Sequence, residues 1–569
     1  MRQCLVFSVL AVLTMSLPVR HVQAQQGFPS ISIMLKSTQE FEEDLKYVVE
    51  ASGEKGKQQW GNIKGILPAF LGGIHAEKPI RVDLVFVKEQ MELRFVIPVS
   101  AEKSLIGNIE GFAGGKSRRL KKGLYRIDGP AFKGTIRILQ GYAIIAANPA
   151  LTPASFGNPG DSIASLVGAG YDIGAVVKNS ATDASERKKV MQEFRREVVG
   201  TLKQRDDESE SEFNLRKVPV GHQFDELERI FVESEQLMLG WSTDAEKREG
   251  RLHLELKSLP DTELQKSISE LAAEPSSFAA IERGSNSIFF GKINHTLDSM
   301  RQTNITELLK LLRAEAATKL EESTSVEVNK KEAISDAGNL LFDMLEAGNG
   351  MGVLDGFIEI EQQDGVRMLT GGIRIADSDS VLKTLEALRK ADAEIEINAV
   401  EVEGMQFHRV AFAAVDEPAL PELLGMTEIL VACPTDGTLL YAGGAEAAER
   451  IQAVAKAIQD EKQPENDGTF IEVWAKSAPW VEILKDRRLR IEKEAGFDPE
   501  KLNKADRKAW NEDVEVRSDA LKLFAAGRDT LHMKLQRIEN RVVGVTVFGE
   551  DLLRFAGLQV AKFSEENLQ

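Results

Sequence analysis

Four stretches of this chain share one order of text, and that recurrence constrains the fold more than any single residue. In each, a short apolar strand runs into a helix, an apolar helix follows, and a β-hairpin leads on to another helix. The strand-to-helix text reads ISIMLKSTQEFEEDL from Ile31, IGAVVKNSATDASERKKV from Ile173, SIFFGKINHTLDSM from Ser287 and FIEVWAKSAPWVEIL from Phe470. The hairpins begin near Arg81, Gln236, Gly356 and Leu531. Period-two alternation puts Val82, Leu84 and Phe86, then Leu93, Phe95, Ile97 and Val99, on one sheet face, and recurs at Leu237, Leu239 and Trp241 and at Val543, Val545 and Val547. Helices after the first and third hairpins repeat one apolar spacing, Leu105, Ile106, Ile109, Phe112 against Val381, Leu382, Leu385, Leu388.

The expected fold class is therefore α+β, built from tandem duplicated β-α-β-β-α units of ferredoxin-like or split βαβ type, with mostly antiparallel sheets and helices on one face. The first and third units carry an extra β segment, where Tyr142-Ala143 and Tyr441-Ala442 stand at matching places. This groups the units into two halves: residues 28–278, with units near 31–150 and 171–275, and residues 283–569, with units near 287–455 and 468–565. At 569 residues the chain is too long for one core, and 43% apolar residues beside 28% charged ones give an ordinary globular balance.

Residues 1–24 read as a signal peptide. Arg2 precedes an apolar run from Cys4 to Leu17, and Val22-Gln23-Ala24 offers small residues for cleavage. Loss of Arg2 and Arg20 with this segment takes the formal charge from −18 to −20. Such a surface repels polyanions, so nucleic acid is not an expected partner. Cys433 is then the one remaining cysteine, and EILVACPTDGTLLYAGG predicts it as a structural thiol in the first of two strands around a Pro-Thr-Asp-Gly turn. No stretch after the signal peptide is long and apolar enough to span a membrane. The expected location is the periplasm or the exterior.

Most polar residues that catch the eye have a structural use. A lysine closes each repeated strand (Lys36, Lys178, Lys292, Lys476), and Ser37, Ser180 and Ser477 follow three of them, where a hydroxyl caps a helix start. Ser100 and Lys103 form an S-x-x-K spacing that belongs to another helix start. GAGYDIG from Gly168 precedes a strand, the wrong order for a dinucleotide loop. Glu359 and Glu361 alternate with Ile358 and Ile360, which assigns the two acids to solvent. The histidines His75, His222, His253, His295, His408 and His532 have no local metal-binding spacing, and neither a metal nor another cofactor is expected. The one charge anomaly is GGKSRRLKKG, where Lys116, Arg118, Arg119, Lys121 and Lys122 form a candidate site for an anionic ligand or an acidic partner; the matching text KADAEIEIN is not basic.

In its signal peptide, duplicated α/β units and acidic composition the chain resembles the uncharacterised secreted or periplasmic proteins of planctomycete-type bacteria. The resemblance implies export and brings no site residues. The leading functional expectation is a non-catalytic envelope protein that binds a macromolecule or assembles with partners through sheet faces left open. The alternatives are a hydrolase of an envelope polymer, with carboxylates assembled from different units, and a carrier holding an apolar ligand between the halves.

Overall fold

The computed structural model describes residues 30–51, 53–87, 90–154, 170–179, 183–324, 326–411, 424–459, 466–494 and 496–567. The signal-peptide segment and Ser180 lie outside them. The chain begins with β1 (Ser30–Leu35), passes through α1 (Thr38–Ala51) and α2 (Glu54–Leu71), and forms the hairpin β2 (Ile80–Val87) and β3 (Gln90–Pro98). Then come α3 (Glu102–Ala113) and a meander of β4 (Lys116–Lys121), β5 (Leu124–Asp128), β6 (Lys133–Leu139) and β7 (Tyr142–Ala146). β8 (Ile173–Lys178), α4 (Ala184–Thr201), α5 (Glu210–Glu233), the hairpin β9 (Ser234–Asp244) and β10 (Glu249–Ser258), and α6 (Glu263–Glu270) complete a first arm.

The second arm starts with β11 (Ser287–Thr296), α7 (Ser299–Glu322), α8 (Val328–Gly350) and the hairpin β12 (Val353–Gln363) and β13 (Val366–Arg374). It continues through α9 (Ser378–Lys390), β14 (Ile395–Val402), β15 (Met405–Ala411), β16 (Glu428–Thr435), β17 (Thr438–Gly443) and α10 (Ala447–Gln459). β18 (Thr469–Lys476), α11 (Ser477–Glu494), α12 (Lys504–Phe524), the hairpin β19 (Thr530–Ile538) and β20 (Arg541–Gly549), and α13 (Glu550–Asn567) end it.

All twenty strands join one antiparallel sheet, with β10 beside β20 at its middle. Outward from that pair the first arm runs β10, β9, β8, β1, β2, β3, β7, β6, β5, β4. The second runs β20, β19, β18, β11, β12, β13, β17, β16, β15, β14. Each place is thus filled by strands ten apart in chain order.

The fold is α+β and antiparallel, as expected, but the pairing inside a unit is not that of a split βαβ. One crossover helix returns a chain to the start of a parallel strand; two helices in series return it to the far end. Because α1 and α2 both stand between β1 and β2, β2 lies directly beside β1 and antiparallel to it. The same holds for β8 and β9, β11 and β12, and β18 and β19.

Apolar alternation finds its cover where expected on one face. Phe95 and Ile97 pack with Leu105 and Ile106 of α3, and Ile375 and Leu439 with Val381 and Leu385 of α9. In the second arm the opposite face is covered too. There Phe278, Ile281 and Ile451 close over Phe290, Phe357, Leu440 and Trp474, while Ile288, Ile360 and Leu369 meet Ile483 of α11 on the other side. Helices thus lie on both faces of this arm, and no residue of β17 is exposed.

The arms meet through helices as well as strands. α13 packs on α1 and α2, and α5 on α7. Gly557 permits the first contact, because a Cβ there would stand 2.0 Å from the Val48 carbonyl oxygen.

Candidate functional site

The four repeated lysines have different surroundings. Lys36 follows β1 and bridges Glu40 at 2.6 Å and Asp172 at 3.4 Å. Lys178 is exposed at the end of β8, and Lys476 stands 5.9 Å from the Trp474 ring centre. Lys292 is not at a strand end at all. It lies inside β11 and donates to the carbonyls of Phe278, Ala279 and Ile281, and burial pulls its ammonium below the usual lysine range. Its neighbourhood is that of a strut holding the 278–281 segment on the sheet.

The serines divide likewise. Ser37 caps α1 by accepting from the Glu40 amide at 2.9 Å, whereas at α11 the side chain of Asp529 accepts from Ala478, leaving Ser477 as the first helical residue. Ser100 donates to the Ile74 carbonyl near the start of α3. Glu359 and Glu361 do not face solvent. Glu359 is buried, accepting from the Gly284 amide at 2.7 Å and from Ser287, and Glu361 pairs with Arg450 of α10. Covering this face turned the expected solvated acids into anchors. Cys433 lies in β16 against the α9 cluster, and burial, with the Asp436 charge, pushes its thiol up to about 11.

One grouping escaped the sequence reading. Lys36, just ahead of α1, and Glu40 and Asp44 on it follow a four-residue spacing that aligns their side chains, and Asp172 meets them from just before β8. The Asp172 carboxyl is buried and accepts from the Thr243 amide at 2.7 Å. Asp44 shares a hydrogen bond with Asp172. Burial first, then the charges of Asp172 and Glu40, push Asp44 up to about 7. Burial pulls on Lys36 in the opposite sense, but Glu40 and Asp172 outweigh it and hold the ammonium above its ordinary range. Three carboxyls share one cation, and a proton held on Asp44 offsets part of the shortfall. The helical spacing was readable; Asp172 had no local signal.

A second candidate is the face of the central pair opposite α6. α6 meets one side of β10 and β20 through Leu264 and Ile268 against Leu256 and Val542. The other side presents Arg251, His253 and Glu255 opposite Val547, Val545 and Val543, all partly exposed. His532, Lys534 and Gln536 of β19 continue the same rows. The result is a valine ladder between two polar rows. His253 also lies 4.9 Å from the Tyr171 ring, and burial lowers its pKa.

The five basic residues singled out in the sequence occupy β4 and its turn, and all five are exposed. Lys116 reaches Glu110 at 3.3 Å, and Arg119 sits 6.0 Å from the Tyr125 ring centre. Among the described residues no group of three or more His, Cys, Asp or Glu could hold a metal ion, and no helix is long and apolar enough to cross a membrane. A pocket of about 500 Å³ beside α12 is lined by Leu502 and Asn511 together with charged side chains, among them Lys504, Arg507 and Glu515. Comparison with protein-family models, curated proteins and solved structures finds no match.

Proposed function

We propose that this is a non-catalytic, exported envelope protein that binds a macromolecule along the open face of its central strands. The observation that carries the reading is the half-exposed ladder of Val543, Val545 and Val547, flanked by Arg251, His253 and Glu255 on one side and by His532 and Lys534 on the other. Contiguous apolar surface rimmed by polar groups is what binding faces present. Export rests on the N-terminal text, and the acidic balance argues against a nucleic-acid partner. The strand-for-strand agreement of the two arms supports descent from one duplicated half. The test is co-sedimentation of the purified chain with isolated cell-wall polymer and with membranes. Val543→Thr with Val545→Thr keeps the β-branched shape and should weaken binding by about tenfold, equivalent to about 1.4 kcal/mol, with little change in the melt. Equal binding by the variant, or none by the parent, would overturn the reading.

A second reading, a hydrolase of an envelope polymer, is favoured by one observation. Asp44 and Asp172 come from different units, share a hydrogen bond, and leave Asp44 protonated close to neutral pH, as a general acid requires. Release of soluble fragments from cell-wall polymer, abolished by Asp44→Asn, would select it.

A further inference from the structure

We propose that copies of this chain associate end to end, β4 of one pairing with β14 of the next. These strands are the two ends of the sheet, since β4 pairs only with β5 and β14 only with β15 among the described residues. Each therefore turns one row of backbone N–H and C=O groups outward. Strands at sheet ends are commonly guarded by charge, and both are guarded here, but with opposite signs. The β4 text carries Lys116, Arg118, Arg119, Lys121 and Lys122, all exposed; the β14 text carries Asp392, Glu394, Glu396, Glu401 and Glu403, all exposed. Like charges forbid β4 from meeting β4 and β14 from meeting β14. They favour β4 against β14, so the contact is heterologous and propagates.

Strand parity allows it. With twenty antiparallel strands, the first and the last run in opposite directions. A second copy placed beside the first, in the same orientation, therefore brings its β4 antiparallel to β14 with matching faces outward. No inversion of either copy is needed. Internal pairs consume part of the charge: Glu396 meets Arg409 at 2.7 Å and Glu403 meets Lys456 at 3.0 Å. Arg118, Lys121, Lys122 and Glu394 have no ion pair among the described residues. Both strands also carry an irregularity, between Arg119 and Lys121 and between Glu396 and Val400, which keeps the shared ladder short. The contact is accordingly weak, reversible and salt-sensitive.

Sedimentation velocity of the full chain over a concentration series tests this, at about 50 mM and about 500 mM salt, where screening lengths differ by about threefold. The expected result is mass that grows with concentration at low salt and returns to one chain at high salt. Arg118→Glu with Lys121→Glu and Lys122→Glu gives a chain with two acidic ends; Glu394→Lys with Glu396→Lys and Glu401→Lys gives one with two basic ends. Each should stay monomeric alone, and a mixture of the two should associate again. That recovery separates an end-to-end contact from a variant that has merely lost its fold. A parent chain that stays monomeric at low salt, a dimer that grows no further, or association indifferent to both reversals would overturn the proposal. The outcome is independent of the binding face, which none of these substitutions touches.

Discussion

The first helices of the two arms, α1 and α7, leave equivalent strands and start in opposite electrostatic states. At α1, Glu40, Asp44 and Asp172 share Lys36, and a carboxyl keeps its proton to about pH 7. At α7, Asp298 caps the helix through the Arg301 amide, bonds Ser267 at 2.7 Å and pairs with Arg229 at 2.6 Å. Glu226 completes this set by bridging Arg229 and Arg301. Burial works against the Asp298 charge, but the Arg301 amide, Ser267 and Arg229 outweigh it and bring the carboxyl to about 2. Two acids and two arginines close on themselves. The same place in the fold thus holds a balanced ionic cluster in one arm and an acid-rich one, eased by a proton, in the other. A site with fixed counter-charges serves to join α5 to α7, whereas a site that recruits a proton responds to pH.

The largest expected effect follows from that closure. Arg229→Ala leaves Asp298 and Glu226 with Arg301 as their one cation beside a buried gap, and losing one partner of a buried pair costs about 3–5 kcal/mol. Lys36→Met should cost under about 1 kcal/mol at pH 6, because Lys36 is part-exposed and a proton can replace its charge. Urea denaturation of both variants checks the contrast. Equal losses would mean that the two helix starts are not electrostatically different.

Stability against pH sharpens the comparison next. Folding raises the Asp44 pKa from 3.8 to about 7, so its contribution is full below pH 3.8 and fades as pH rises to 7. A rise of that size corresponds to at most about 4 kcal/mol, and screening at this half-exposed carboxyl reduces that to about 1–2 kcal/mol. Asp298 has the opposite sign: its contribution is full above pH 3.8 and is lost as pH falls toward 2. Asp44→Asn should flatten the decline between pH 4 and 7, and Asp298→Asn the decline on the acid side. Melting temperatures across pH 2–8 decide it, and a parent chain with no decline toward neutrality would remove the shared proton.

How much of this was readable beforehand depends on distance along the chain. Alternation at Val82, Leu84, Phe95 and Ile97 encodes a local rule, and those residues lie on one face of the β2–β3 hairpin. Cys433 was placed in its strand by the same logic. Glu359 and Glu361 were misread because alternation tells which residues share a face but not what covers it; Gly284, Ser287 and Arg450 do. Lys292 matched its text neighbours but sits inside a longer strand, under carbonyls from another segment. Asp172 joins Asp44 across 128 positions through the β1–β8 pairing, and nothing in either local sequence announces it.

The Asp44 titration itself offers a finer test. Lys36 lowers the Asp44 pKa, working against Asp172 and Glu40, so Lys36→Met should move the titration above 7, and Glu40→Gln should move it back toward the ordinary carboxylate range. Carbon-13 NMR of the side-chain carboxyl reads both shifts directly. No movement in either variant would show that burial alone sets the value.

The smallest effect concerns the caps themselves. Ser37 and Asp298 both stand at the N-cap of the first helix of an arm, but Ser37 is neutral, and its removal in Ser37→Ala should cost about 1 kcal/mol, the ordinary value of a cap. Aspartate caps as well as serine does, and a negative charge at a helix start is usually favourable by about 0.3–1 kcal/mol. Ser37→Asp would place a fourth carboxyl where three already share Lys36, so repulsion offsets that gain and drives Asp44 to a still higher pKa. No stabilisation is expected above pH 7, with recovery below pH 5 as protons return. If Ser37→Asp instead stabilises the chain at pH 8, the acid-rich character of the α1 start has been overstated, and the two arms differ there by their caps alone.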